Sequence, residues 1–108
     1  RMKSNTNRRN ELNTHKPKCE SLEQVRKEID QLDQAIIALL AQRQEYVDQS
    51  VRFKSSVQDI QAPERVEQVM SKVREQAELN RLDPDFVEKI YRELIQHFIQ
   101  RESKEFRP

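Results

Sequence analysis

The sequence predicts an all-α fold of three helices, one of them very long; the intertwined helical homodimer expected of it rests on the length of that helix and on a resemblance given below. Three observations carry the helical reading. The 108 residues contain no glycine, which leaves tight positive-φ hairpin turns poorly served. Four prolines, Pro17, Pro63, Pro84 and Pro108, leave residues 18–62 without a break and divide the rest. Apolar residues recur every three or four positions through each proline-free stretch.

The first helix begins at Ser21, where Ser21-Leu22-Glu23-Gln24 has the S-x-x-Q form of a capping box. Its stripe follows through Leu22, Val25, Ile29, Leu32, Ile36, Leu39, Arg43, Tyr46, Ser50 and Phe53, widened by Ile37, Leu40, Val47 and Val51. Ending at Lys54 or Ser56, it would be ~50 Å long. A compact monomer of this size has a radius of gyration of only ~13 Å. Such a helix overhangs its own domain, and its far end needs apolar surface from a second copy. Ser55–Ala62 reads as a short polar connection. The second helix opens at Pro63, a favoured first helical residue, and runs to Asn80 with Val66, Val69, Met70, Val73 and Ala77 on one side. The third has Asp83 as cap, Pro84 as its first residue and Leu82 placed to staple onto Val87. It continues through Ile90, Leu94, Phe98 and Ile99 to Glu102.

Composition narrows the function classes. Without glycine there is no phosphate-binding glycine loop and no dinucleotide fingerprint. Charge is unevenly placed: residues 1–20 hold six Lys/Arg against two Asp/Glu, and the remainder holds 14 against 17. The basic excess therefore sits on a polar tail, 1–20, expected to be disordered, and 21–108 forms the helical domain. A nucleic-acid module would carry that excess on its folded part, so no nucleic-acid partner is expected. The single Cys19 excludes an internal disulfide, and His15 and His97 make no metal-ligand spacing with it. No metal and no cofactor are expected. No apolar run reaches signal-peptide or membrane length, so the expected location is cytoplasmic, with no membrane partner.

The informative residues are charges on apolar faces. Arg43 and Lys54 interrupt the first stripe, and no carboxylate stands three or four residues from either. They are 11 residues apart, about three helical turns, and so point the same way ~16 Å apart along the axis. Two unpaired cations on a half-buried face are costly unless an anion lies between them, and a small dicarboxylate fits that gap. Glu102 continues the third stripe, with Phe98, Ile99, Glu105 and Phe106 around it and no local counter-ion. Arg26 stands beside Leu22, Val25 and Ile29 in the first turns.

With these elements the chain resembles the all-helical chorismate mutase family over residues 21–105. The resemblance rests on Val25-Arg26-Lys27-Glu28-Ile29-Asp30, Ala41-Gln42-Arg43, Arg52-Phe53-Lys54 and Ala62-Pro63-Glu64-Arg65-Val66, in that order and spacing. The wording around Lys54 is most like the isochorismate pyruvate lyase branch. The family implies an interlocked homodimer in which Arg43 and Lys54 of one subunit line a site completed by Arg26 of the other. Helix geometry agrees with that division, since along one straight helix Arg26 is ~25 Å from Arg43 and ~42 Å from Lys54.

The family reaction is the [3,3] rearrangement of chorismate to prephenate, on the route to the aromatic amino acids. It needs no nucleophile, metal or cofactor. The protein holds the substrate's compact conformer and stabilises charge developing on its ether oxygen. Arginine forks suit the two carboxylates, and Lys54 can donate to the ether oxygen. The family's second donor there is usually glutamine; the matching residue here is Glu102, as in some members. Only its protonated form can donate, and a carboxylate would repel the substrate. Glu64 matches a glutamate that binds the substrate hydroxyl in some mutases. A loop aspartate of some mutases has no counterpart, and Ile60 falls near it.

Plainer readings stand beside these. Arg43 and Lys54 can snorkel from a coiled-coil seam. Arg26 can pair with Asp30 four residues on. Glu102 can be surface at a helix end, and Glu64 a carboxylate favoured by the helix dipole. Arg52, Arg65 and Arg74 read as solvated face. The leading function is chorismate mutase. The alternative is isochorismate pyruvate lyase, which makes salicylate and pyruvate in the same kind of pocket. The reading from another class is a non-catalytic helical dimerisation module.

Overall fold

A computed structural model describes residues 18–107. Its helices are α1 (Leu22–Ser50), a single 3-10 turn (Val51–Phe53), α2 (Val57–Gln61), α3 (Pro63–Leu79) and α4 (Pro84–Glu105). The described residues contain no β-strand, and none of their helices is long and apolar enough to cross a membrane. The tail assigned to residues 1–20 lies, apart from 18–20, outside the described residues.

The chain divides into two compact units, 1–38 and 39–108. In the first, the capping box forms: the Gln24 N–H donates to Ser21 Oγ at 3.1 Å. The reciprocal bond runs one residue earlier than in the standard box, from the Glu20 N–H to Gln24 Oε1 at 2.7 Å. The apolar stripe is bare. Leu22, Val25, Ile29, Leu32, Ile36 and Ile37 are all exposed.

In the second unit α4 is the common packing partner of α2 and α3. The buried apolar side chains are few: Ile60 on α2, Met70 and Ala77 on α3, and Phe98 on α4. Polar contacts support this lean core. Arg74 of α3 donates to Asp85 at 3.0 Å and to Glu88 at 2.8 Å on α4. Arg92 donates to Glu88 at 2.7 Å and reaches back to Glu67 on α3 at 3.3 Å. Arg74 thus bridges two helices while its side chain stays partly exposed to solvent, as its sequence position suggests. Arg101 of α4 grips Asp48 of α1 with two bonds of 2.9 Å. That fork holds the Asp48 carboxyl below the ordinary carboxylate range, its hydrogen bonds outweighing desolvation.

Two boundaries differ from the sequence reading. The first helix stops being α-helical at Ser50, and Lys54 is extended (φ −96°, ψ 137°). The polar connection contains α2, capped by Ser56, whose Oγ accepts from the Asp59 N–H at 3.1 Å. Five residues are too few to display a helical period, which is why α2 is invisible in the pattern. The third helix starts as expected, with Asp83 accepting from the Asp85 N–H at 3.0 Å.

Lacking glycine, the chain puts other residues in the left-handed region: Ala62 (φ 37°) between α2 and α3, and Arg81 (φ 63°) after α3. Around Arg81 the bonds are those of a Schellman ending. The Leu82 N–H donates to the Ala77 carbonyl at 2.8 Å and the Arg81 N–H to the Glu78 carbonyl at 3.2 Å. A β-carbon at that position costs ~1 kcal/mol. Arg81→Gly is expected to stabilise the protein by roughly 0.5–1 kcal/mol, read as a higher midpoint in chemical denaturation.

Glu88 gives a pH test. Hydrogen bonds from Arg92 first and Arg74 second hold its carboxyl below the usual range. A carboxyl lowered on folding contributes stability above its unfolded value, about 4.3 for Glu, and that contribution is lost as pH falls through the lowered value. Glu88→Gln should therefore melt below wild type at neutral pH, with the two curves converging in acid.

Candidate active site

One pocket of ≈ 440 Å³ lies wholly within the 39–108 unit. Its polar residues come from separate elements. Arg43 and Ser50 stand on α1, Lys54 follows the 3-10 turn, Arg65 opens α3 and Glu102 closes α4. Val47, Ile60, Val66, Ile95, Phe98 and Ile99 make the apolar walls.

Local structure explains how Lys54 arrives there. The 3-10 turn tightens the end of α1 and closes with the Lys54 N–H donating to the Val51 carbonyl at 3.0 Å. The next residues are tied to α2, since the Ser55 N–H donates to Asp59 Oδ2 at 2.7 Å. Ile60, 2% exposed, fixes α2 in the core. The Asp59 carbonyl can then accept from Lys54 Nζ at 3.2 Å. Glu102 is only 6% exposed, and its Oε2 lies 3.6 Å from Lys54 Nζ and 3.0 Å from Ser50 Oγ.

This revises one step of the sequence argument. Lys54 and Glu102 have no partner at helical spacing, but they meet each other across the fold. Arg43 does not share in that neutralisation. Its guanidinium carbon sits 5.4 Å from the Phe98 ring centre, a cation–π contact, and its Nη1 is buried with no hydrogen-bond partner among the described residues. A buried, unsatisfied guanidinium nitrogen costs free energy in the empty protein and is ready to receive an acceptor.

Of the five residues singled out from sequence, Arg43, Lys54 and Glu102 share this pocket. Arg26 is exposed in the 1–38 unit and is not among the lining residues. Glu64 is exposed and borders a separate shallow hollow with Glu67, Gln68 and Ser71. Ser50 and Arg65 line the pocket unforeseen. Ser50 had shown only as a polar interruption of the stripe, and Arg65 as a surface charge.

The arrangement suits an anion of about two charges, since three cations face one carboxyl group. No histidine, cysteine or aspartate lines the pocket, and the described residues contain no group of three potential metal ligands. What these side chains offer is binding, orientation and hydrogen-bond donation to oxygen within an apolar enclosure.

Residues 25–103 match the family described as chorismate mutase type II. A curated relative, the isochorismate pyruvate lyase of Pseudomonas aeruginosa, is 37% identical over 89 residues, which are 82% of this chain and 88% of that protein.

The unsatisfied guanidinium generates a prediction independent of catalysis. Arg43→Leu should melt close to the wild-type temperature, because removing a buried unsatisfied donor offsets the loss of its cation–π contact with Phe98. A cyclic dicarboxylate should raise the wild-type melting temperature and leave that of the variant unmoved.

Proposed function

Because the chain belongs to the chorismate mutase type II family, we propose that this pocket rearranges chorismate to prephenate. The family makes the protein an enzyme; the assignment of residues and substrate is our reading. The observation that carries it is the convergence of Arg43, Lys54 and Glu102 from three elements onto one apolar-walled pocket. In the rearrangement one C–O bond breaks as one C–C bond forms, and no proton leaves or enters. A pocket can therefore act by orientation and electrostatics alone.

Arg43 takes one substrate carboxylate through its free Nη1. Lys54 donates to the ether oxygen, on which negative charge grows as the C–O bond stretches. Glu102 donates to the same oxygen from its protonated form. Arg65, at the mouth of α3, adds to the positive field.

The site is completed, in this proposal, by Arg26 of the partner subunit in a homodimer. The exposed stripe from Leu22 to Ile37 supports the dimer, since so many large apolar side chains in regular helical spacing call for cover. The exposure of Arg26 within its own unit is compatible with service to a neighbour. Glu64 would reach the substrate hydroxyl only if the pocket extended towards its hollow. A cytoplasmic location belongs to the same proposal.

A second reading is favoured by the Pseudomonas relative: elimination of pyruvate from isochorismate to leave salicylate. It uses the same two carboxylate contacts and the same donors to the breaking C–O bond. Purified protein incubated with each substrate, with prephenate and salicylate followed by absorbance and fluorescence, decides between them. Production of neither would overturn the enzymatic assignment.

Lys54→Ala should lose at least ~100-fold in kcat, the usual scale for one preorganised donor to a developing oxyanion. Sedimentation should give twice the 13.0 kDa chain mass. Arg26→Ala and Arg43→Ala chains, each inactive alone, should regain activity when mixed, because one site per heterodimer keeps both arginines. Heterodimers that form without activity would place Arg26 outside the site.

A further inference from the structure

Lys54 also lines a second hollow, of ≈ 480 Å³, and is the one residue common to it and the candidate active site. This hollow lies where α1 with its 3-10 turn and α4 both end, within the 39–108 unit. Arg52 and Lys54 reach it from the first end, Arg101 and Arg107 from the second. Val51 and Phe106 are its only apolar side chains. It therefore offers charge and no enclosure for a ring, the reverse of the active pocket.

The carboxylates at this hollow are already engaged. Asp48 holds Arg101 through the two bonds of the fork, and Glu105 favours the charge of the same arginine. Glu102, in the active pocket, pairs with Lys54. Arg52 and Arg107, both exposed, are left without a carboxylate partner among the described residues. The Arg52 guanidinium carbon lies 5.0 Å from the Phe53 ring centre. Arg107 Nη1 donates to the Lys104 and Phe106 carbonyls at 3.4 and 3.1 Å. A guanidinium has five N–H donors, and these contacts use few of them. The plainer role of the two arginines is to offset the carbonyl ends of the two helices. Each end carries about half a negative charge, so two arginines exceed what both ends require.

We propose that this hollow is a second anion site, for a phosphate-type oxyanion, whose occupant draws on Lys54 in competition with the active pocket. Two guanidinium forks come from different elements. The two oxygens of a carboxylate satisfy one fork, whereas the tetrahedral oxygens of a phosphate serve both. The Lys54 side chain is 21% exposed, so its ammonium is open to an anion on the solvent side. An ammonium shared with that anion gives less to one in the active pocket, and the coupling is reciprocal. Binding in the hollow stands on the hollow alone. Its effect on catalysis rests on the reading of the active pocket as the substrate site.

The test is calorimetric titration of inorganic phosphate into the whole protein, at an ionic strength held constant with sodium chloride. Wild type should bind phosphate. The Arg52→Gln/Arg107→Gln double variant should bind it at least ~10-fold more weakly, the scale of lost charge-assisted hydrogen bonds. Both arginines are exposed and outside any ion pair, so this variant should keep the wild-type helical spectrum. Arg43→Leu, changed in the other pocket, should bind phosphate as wild type does. Loss of binding in Arg43→Leu, undiminished binding in the double variant, or no binding above the chloride background would each overturn the proposal.

The sharing of Lys54 is read separately. Its side-chain resonance, identified by loss in Lys54→Arg, should move when phosphate is added to wild type and stay in the double variant. A resonance that stays in wild type refutes the sharing, whatever the active pocket proves to bind. Saturating phosphate should also weaken binding of a cyclic dicarboxylate about fivefold or more in wild type and not in the double variant. Unchanged dicarboxylate affinity refutes the competition. A dicarboxylate that never binds refutes the reading of the active pocket and leaves the phosphate result standing.

Discussion

A carboxyl group buried near the end of α4 has to be satisfied, and much of the 39–108 unit follows from how that is done. Glu102 is one turn beyond Phe98, and both are nearly inaccessible. Its partners Ser50 and Lys54 come from the segment where α1 ends. Between these two residues the chain leaves α-helical geometry. The 3-10 turn and the extended Lys54 make that change of direction. The Arg101–Asp48 fork fixes the same two helices one residue before Glu102 and two before Ser50. A buried charged cluster is poor value as a stabiliser compared with apolar packing. Its presence in a chain with so few buried apolar residues points to a site whose needs shaped the packing around it.

The long helices were legible because their signals are local. The Ser21 and Asp83 caps, the prolines at helix starts and the three-four spacing all lie within a few residues of what they determine. What escaped was set by distance. Ser50 and Glu102 are 52 residues apart, and Asp48 and Arg101 are 53. No spacing rule connects such pairs. The ion pairs of Arg74 gave no local sign because Asp85 and Glu88 lie on another helix. The lack of glycine was a sound argument against hairpins but not against positive φ, which Ala62 and Arg81 adopt where helices must end and turn.

The candidate site was legible to the extent that its residues break an apolar pattern. Arg43, Lys54 and Glu102 do so as charges, and they meet in the fold. The inference that both cations lacked partners held for Arg43 alone, since it examined helical neighbours and Lys54 found its carboxyl across the fold. Ser50 breaks the same pattern, but a small neutral side chain on a stripe is usually a packing accommodation. Only its distances to two acceptors give it meaning. Arg26 was chosen as a charge beside Leu22, Val25 and Ile29 and Glu64 by family likeness, and neither lines the pocket of the single chain.

The same physical features bear on the choice between rearrangement and elimination. Both weaken the same kind of C–O bond, and both gain from donors at the departing oxygen, so the donors proposed for this site would serve either. The reactions differ in where the enolpyruvyl group must lie when the bond stretches. Rearrangement needs its methylene carbon over the ring carbon that will be bonded, while elimination needs it near the hydrogen it will take. Control of that approach falls to the apolar walls, because a charged contact fixes the carboxylate but leaves the methylene free to turn. In this pocket Val47, Ile60, Val66, Ile95 and Ile99 are among the walls without a polar atom to offer, and Phe98 lies against the Arg43 guanidinium. If Arg43 anchors the substrate as proposed, its guanidinium touches the wall that would shape it, and the electrostatic and steric parts of the choice would meet at the Arg43–Phe98 contact.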